Sequence, residues 1–282
     1  MGDQDRLVGQ RYRLVERVAT GGSGRVWRAV DEAAGREVAV KRPRPPGEPG
    51  EDAFRRAAHR LCREARAAAH VDHPAAVRIQ DVVVEEAGAD DGLPWIVMEW
   101  VGGESLREVM GRGPVAAPEA ARIGLAVLGA LRAAHAVGIV HRGLRPDSVL
   151  LGPHGRVVLT GFGTAHVPGS RDARPPRRRT PADGRSPEPG AEPLPGPGPA
   201  ADLWSLGVLL DAAVVDRSAA GPLGPLIERL LDQDPARRPG PGRRPGPDRR
   251  PDADEIAEEV ARGLAAVADD LGTAPPRKGV IR

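Results

Sequence analysis

A lysine and a glycine-rich turn near the N-terminus are the first residues whose types and spacing could do chemistry. Of 41 basic residues only two are lysine, Lys41 and Lys278, so a lysine closing the run Val-Ala-Val-Lys indicates a position that a guanidinium does not suit. The preceding turn contains Gly21, Gly22 and Gly24, whose backbone N–H groups could approach a phosphate closely. The two features together predict phosphate contact, while a plain hairpin turn and a buried ion pair remain open as alternatives.

Two loops further along the chain hold a second group of polar and glycine residues. The first reads HRGLRPDSVLL over residues 141–151 and the second reads TGFGTA over residues 160–165. Short apolar runs between them predict a hairpin. Asp147 is the only acid in these loops, and no Asp or Glu occurs between Ser148 and Arg171.

The order and spacing of these segments resemble bacterial eukaryotic-like Ser/Thr protein kinases, over residues 11–268. In that family a glycine loop precedes V-A-I-K, the first catalytic loop reads H-R-D-x-K-P-x-N-V-L-L, and the second reads D-F-G. The resemblance implies an α+β, two-lobe fold with a small antiparallel β-sheet lobe and a mostly helical large lobe. The large lobe would be trimmed in the region of the substrate-docking helix, because only eighteen residues separate Gly207 from Leu226.

Four positions depart from the family pattern in the two loops. Gly143 stands in place of the catalytic Asp, Arg145 in place of Lys, Ser148 in place of Asn, and Gly161 in place of the metal-binding Asp. A kinase needs a base for the incoming hydroxyl and carboxylate ligands for Mg²⁺, and loss of a general base alone costs about 10²- to 10⁴-fold in rate. The sequence therefore predicts no catalytic residues and no metal site, which is typical of a pseudokinase.

The resemblance also implies a nucleotide cleft between the lobes. It predicts an ion pair between Lys41 and Glu64, a hinge at residues 98–101, and apolar side chains around an adenine. Weak ATP binding without Mg²⁺ and no nucleotide binding at all remain open. The implied nucleotide-binding residues are Gly21, Gly22, Gly24, Val26, Ala39, Lys41, Glu64, Met98, Glu99, Val101 and Leu150.

A further set of residues matches family positions that support the fold. Asp202 is expected to cap the backbone of the first loop. Glu188 is expected to pair with an arginine of a six-residue repeat, either Arg238, Arg244 or Arg250, of which Arg238 fits the spacing best. The implied structural residues are His141, Arg142, Phe162, Glu188, Asp202 and Arg238. Thr180 and Ser186 are candidate phosphorylation sites, and Arg142 could dock such a phosphate internally.

The element pattern predicts five strands in the small lobe, with helices at 51–70, 102–112, 118–137, 201–210 and 252–268, the last capped by Asp252. A short strand is predicted just before the first loop, from Gly138. The predicted division is an N-terminal extension at 1–10, a small lobe at 11–101, a large lobe at 102–268 and a tail at 269–282. Within the large lobe, 169–199 is an Arg/Pro-rich activation-segment equivalent and 237–251 is an Arg/Pro/Gly repeat.

Composition limits the class of protein. One cysteine, Cys62, excludes a disulfide framework within the chain, and a net charge of +2 predicts no general affinity for nucleic acid. The N-terminus has no apolar signal region, and no apolar run long enough to span a membrane occurs. We therefore expect a cytoplasmic protein. Basic charge is local, at Arg171–Arg179 and Arg237–Arg250, and no aromatic residue interleaves those arginines, which argues against base stacking.

Three functions follow from these observations. The first is a pseudokinase that acts as a signalling scaffold or allosteric regulator of a protein partner, such as an active kinase or a phosphopeptide-binding module. The second is an active ATP-dependent Ser/Thr kinase with atypical catalytic groups. The third is a module that binds acidic partners through its basic segments, which would show a steep salt dependence.

Overall fold

The N-terminal part of the chain folds as a curled antiparallel sheet. In the computed structural model, residues 5–21, 23–45, 47–85, 92–162, 198–214, 220–231 and 253–269 are described. Six strands pair in the order β1-β2-β3-β4-β6-β5. Their bounds are Leu7–Val8 (β1), Tyr12–Gly21 (β2), Gly24–Asp31 (β3), Arg36–Pro43 (β4), Ile79–Val83 (β5) and Trp95–Glu99 (β6). Helix α1, Asp52–Ala68, connects β4 to β5 and packs against β5.

Side-chain alternation along β4 assigns its residues to two different apolar clusters. Val38 and Val40 join a cluster on one face of the sheet with Trp27 and Trp95. Ala39 belongs to the larger cluster, which continues into the helical part of the molecule. Because alternate strand residues face opposite sides, Lys41 lies on the same side as Ala39, toward that larger core.

The C-terminal part combines helices with a second, three-stranded sheet. Its strands are Glu104–Ser105 (β7), Val149–Leu151 (β8) and Val157–Leu159 (β9), paired in that order. The helices are Leu106–Gly111 (α2), Ala117–Ala136 (α3), Pro199–Ala213 (α4), Leu223–Leu231 (α5) and Ala253–Asp269 (α6). Helix α3 is central, since it packs against α4, α6 and β9. This architecture confirms the predicted α+β, two-lobe kinase fold.

Three local predictions differ from the structure. The sheet has six strands rather than five, because Leu7 and Val8 pair with Arg13 and Tyr12 and Val8 is fully buried. The additional strand lies in the stretch assigned to an N-terminal extension.

No strand begins at Gly138, where one was predicted. Gly138 has a φ of 79°, and the N–H of Ile139 donates to the carbonyl oxygen of Ala134 at 2.9 Å. This chain reversal closes the C-terminus of α3 in the way that a left-handed glycine commonly does.

Helix α2 is shorter than predicted and begins after the two-residue strand β7. Ser105 caps it in a capping box with Glu108, which fixes its start. Helix α5, at Leu223–Leu231, is an element that the sequence interpretation did not include. Among the described residues, no helix is both long and apolar enough to cross a membrane.

Candidate functional site

The first loop is held by a buried carboxylate on α4. Asp202 is fully buried, and its oxygens accept hydrogen bonds from the backbone N–H groups of His141 at 2.8 Å and Arg142 at 2.7 Å. His135, near the end of α3, lies 2.8 Å from the same carboxylate through Nε2. Arg142 has a φ of 57°, a conformation that is uncommon outside glycine. The predicted capping role of Asp202 is therefore confirmed.

His141 and Phe162 connect the two loops. The Nε2 of His141 lies 2.8 Å from the carbonyl oxygen of Thr160, and Gly143 donates its N–H to Nδ1 at 3.4 Å. These bonds fit a neutral ring with its proton on Nε2. Burial, the largest influence, lowers the pKa of His141. Phe162 meets the ring edge-on at 5.0 Å between centroids, so His141 serves as a structural link.

The side chains of the first loop form hydrogen bonds and ion pairs with nearby residues. Ser148 Oγ donates to the carbonyl oxygen of Arg145 at 2.7 Å and accepts from its N–H at 3.0 Å. Asp147 accepts a hydrogen bond from Arg107 on α2, the main cause of the lowered pKa of its carboxyl group. An Nη2 of Arg145 lies 3.6 Å from the same carboxylate. The hydroxyl and the carboxylate of this loop are thus already engaged by local partners.

A side chain at Gly161 would be strained by the left-handed backbone conformation, not by crowding. Its φ is 96°, and a Cβ added there would lie 3.4 Å from Nε2 of His141. Position 143, also glycine, offers no acceptor on a side chain. The two positions that would carry carboxylates in the family pattern therefore carry none.

The donor groups of the described loop residues do not fit a magnesium ion. Mg²⁺ requires an octahedron of hard oxygen ligands that usually includes one or two carboxylates. Within the described ranges, no three His, Cys, Asp or Glu side chains cluster closely enough to hold a metal. Positions 143, 148 and 161 supply a single side-chain oxygen, the hydroxyl of Ser148.

Four of the predicted cleft residues, on β3, β4 and β6, share one face of the small-lobe sheet. Val26 lies opposite Lys41 in the β3–β4 pairing, and Ala39 lies opposite Met98 in the β4–β6 pairing. Burial lowers the pKa of Lys41 to about 8. The predicted apolar lining residues all belong to, or pack against, the larger core cluster; these are Val26, Ala39, Met98, Val101 and Leu150.

The glycines of the turn differ in how much space surrounds them. A Cβ at Gly24, where φ is 129°, would lie 2.2 Å from the carbonyl oxygen of Arg42, so this glycine is required by the close approach of β4. Gly21 has open space around it, as a phosphate approach would need. Gly22 lies outside the described residues.

The predicted ion pair between Lys41 and Glu64 is not formed among the described residues, which corrects that expectation. Glu64 is half-buried on α1, and burial raises the pKa of its carboxyl group. The cations that counteract this effect are Arg142, then Arg60 and Arg63. Glu64 thus interacts with one arginine of the first loop, Arg142, and with two arginines of its own helix.

The side chain of Glu99, at the predicted hinge, is bound within the protein. Its carboxylate accepts from the N–H of Arg78 at 3.0 Å and from Nη2 of Arg156 at 2.9 and 3.0 Å. Its side chain is therefore committed to a contact beside the hinge. The predictions for Thr180, Ser186, Glu188, Arg238 and Asp252 concern residues outside the described part of the chain.

Two contributors to this site were missed by the sequence interpretation. His135 is a polar residue in the last turn of a mostly apolar helix, which is a usable signal for a buried hydrogen bond. Arg156 is separated from Glu99 by 57 positions, and no local pattern indicates that contact.

Comparison with known proteins finds one family model and a set of related Ser/Thr-protein kinases. The family model for the protein kinase domain matches residues 12–221. The Ser/Thr-protein kinase PknA of Mycobacterium tuberculosis is 34% identical over 202 residues, which cover 71% of this chain and 45% of PknA. The probable Ser/Thr-protein kinase SCO3848 of Streptomyces coelicolor is 37% identical over 168 residues, covering 59% of this chain and 24% of that protein. The chain thus spans less than half the length of these curated relatives.

Proposed function

Because the chain belongs to the protein kinase domain family, as the match over residues 12–221 shows, we propose that it is a catalytically inactive member. In this proposal it is a Ser/Thr pseudokinase that acts as a signalling scaffold or allosteric regulator. It binds ATP weakly and without Mg²⁺. Its partner is a signalling protein, such as an active kinase or a phosphopeptide-binding module, and its location is cytoplasmic.

The observation that carries this proposal is the chemistry of positions 143, 148 and 161. Phosphoryl transfer depends on positioning the nucleotide, neutralising its phosphates with metal ions and orienting the attacking hydroxyl. Glycine at 143 provides no base, glycine at 161 provides no metal ligand, and the hydroxyl of Ser148 is bonded to the backbone of Arg145. The nearest acid in the first loop, Asp147, is paired with Arg107.

The position of Glu64 supports the same conclusion. Kinase activity requires the strand lysine and the helix glutamate to be paired. Here Glu64 has three arginines as its electrostatic neighbours, and the pair with Lys41 is not formed among the described residues. A nucleotide in the cleft would meet Lys41 without a metal to share the phosphate charge.

The test of nucleotide binding is thermal melting of the purified chain with ATP or ADP, each in Mg²⁺ and in EDTA. We expect a rise of about 3 °C with nucleotide about tenfold above its Kd, and this rise should survive EDTA. Lys41→Ala should abolish the rise, whereas Lys278→Ala, the matched change at the other lysine, should leave it intact.

The same experiment has a pH arm. The pKa of Lys41 is lowered to about 8, so its ammonium is mostly protonated at pH 7 and mostly neutral at pH 9. Nucleotide-dependent stabilisation should therefore shrink as the pH rises from 7 to 9. A shift that requires Mg²⁺, together with phosphate transfer to the chain or to a protein substrate, would refute inactivity and support the atypical-kinase alternative.

A further inference from the structure

Helix α1 has two faces of opposite character. Its buried residues are apolar and hold it against the small lobe; they are Phe54, Ala57, Ala58, Leu61, Cys62, Ala65 and Ala68. This face is fully used by the fold. The side chains of α1 that other molecules can contact therefore lie on the opposite side.

The exposed side of α1 is cationic along most of its length. It presents Arg55, Arg56, His59, Arg60, Arg63 and Arg66, and with 3.6 residues per turn these side chains fall within an arc of about 140°. The helix has two acids. Asp52 pairs with Arg55, and Glu64 is half-buried at the border of the face.

Arginines on other exposed elements are commonly paired with acids. Examples are Arg13 with Glu32, Arg28 with Glu37, Arg112 with Glu104 and Arg122 with Glu119. On α1, by contrast, Arg56, Arg60, Arg63 and Arg66 form no ion pair with any described residue. Their spacing of three or four places like charges next to one another, which is unfavourable in a helix.

This concentration of charge is a local departure from the chain as a whole. The sequence has 41 basic and 39 acidic residues, so its charges are nearly balanced. We propose that the outer face of α1, formed by Arg56, Arg60, Arg63 and Arg66, is a docking surface for an acidic segment of a partner protein. Guanidinium groups can bind carboxylates through two parallel hydrogen bonds.

The geometry favours a protein segment over a membrane or nucleic acid. From Arg55 to Arg66 the face extends about 17 Å, the length of about three helical turns. A helix that binds a membrane surface inserts its apolar face into the lipid, but the apolar face of α1 is buried in the small lobe. No aromatic side chain is present on the exposed face to stack on a base.

The test uses a fluorescein-labelled acidic peptide of about twelve residues, the length of three helical turns, with glutamates spaced three and four apart. Its affinity for the full chain is measured by anisotropy, with the same peptide carrying glutamine as the uncharged control. Arg56→Glu and Arg66→Glu should each weaken binding about fivefold, because an attraction is replaced by a repulsion at an exposed site. Arg262→Glu, which reverses one exposed arginine on α6, should change it less than about twofold.

Three outcomes would overturn the proposal. Equal peptide affinity of the wild type and the double variant Arg56→Glu/Arg66→Glu would show that the peptide does not bind to this face. Tighter binding of a DNA duplex or of phosphatidylserine vesicles, with the same dependence on these variants, would assign the face to another class of partner. No peptide binding at low salt would mean that the chain itself covers the face.

Loss of folding is separated from loss of docking by melting each variant. Charge reversal on α1 relieves repulsion between neighbouring arginines, so the double variant should melt at or above the temperature of the wild type. The measurement does not involve nucleotide, so its result is independent of the proposed inactivity.

Discussion

At the scale of single residues, Gly161 leaves the second loop without a carboxylate and gives it a backbone conformation that suits glycine. Its φ of 96° is a conformation that residues with a Cβ rarely adopt. The nearby His141 ring, bonded to Thr160 through Nε2, limits how far the loop could adjust. We therefore interpret Gly161 as a residue that the present loop geometry requires.

Gly161→Ala should lower the free energy of unfolding by about 1–2 kcal/mol, because a Cβ is forced into a left-handed backbone conformation. Urea unfolding measures this change. Gly102→Ala is the matched control, since a Cβ there meets open space and no left-handed φ is required; its effect should stay within about 0.5 kcal/mol. Equal stability of the two variants would show that the second loop readily adopts another conformation.

At the scale of elements, Asp202 connects helix α4 to the first loop and to α3. One buried carboxylate satisfies two backbone N–H groups of the loop and the ring of His135. A buried donor that loses its partner costs about 1–3 kcal/mol. The site architecture thus depends on an acid whose oxygens form hydrogen bonds within the protein.

Asp202→Ala should reduce the free energy of unfolding by at least about 3 kcal/mol, because it leaves several buried donors unpaired. His135→Ala should cost less, since the two backbone bonds to Asp202 remain. The control is Asp147→Ala in the same loop, which breaks a partly exposed pair with Arg107 and should cost at most about 1 kcal/mol. A small effect of Asp202→Ala would mean that water replaces the carboxylate.

At the scale of the whole molecule, the sequence predicts the elements with strong periodicity and the residues with local roles. Strand alternation around Lys41 and the helical spacing of α1 and α3 fix element types, because each pattern repeats over several turns or pleats. Strand β1 has only two residues, too few to show a period. The partners of Glu64 and Glu99 depend on how α1 and the second sheet pack, which no local pattern contains.

The contact of Glu99 with Arg156 joins the two sheets beside the hinge. Glu99 ends β6 of the first sheet, and Arg156 directly precedes β9 of the second. Close by, Ala76 forms an isolated bridge with Leu159. Ala76, Glu99 and Arg156 line a pocket of about 460 Å³ together with Arg36, Arg78 and Asp72. This junction therefore connects the end of β6 to the segment that precedes β9.

Removing Arg156 should loosen this junction more than it destabilises the fold. Its side chain is 43% exposed, so Arg156→Ala should lower the free energy of unfolding by at most about 1 kcal/mol. Hydrogen exchange of residues 99–103 should nevertheless accelerate, because local opening costs less than global unfolding. Glu99→Ala should have the larger effect of the two, since it also leaves the N–H of Arg78 without its carboxylate acceptor. Glu119→Ala, which breaks a similarly exposed pair within α3, should leave exchange at the hinge unchanged; acceleration there by this control would mean that the hinge responds to general loss of stability.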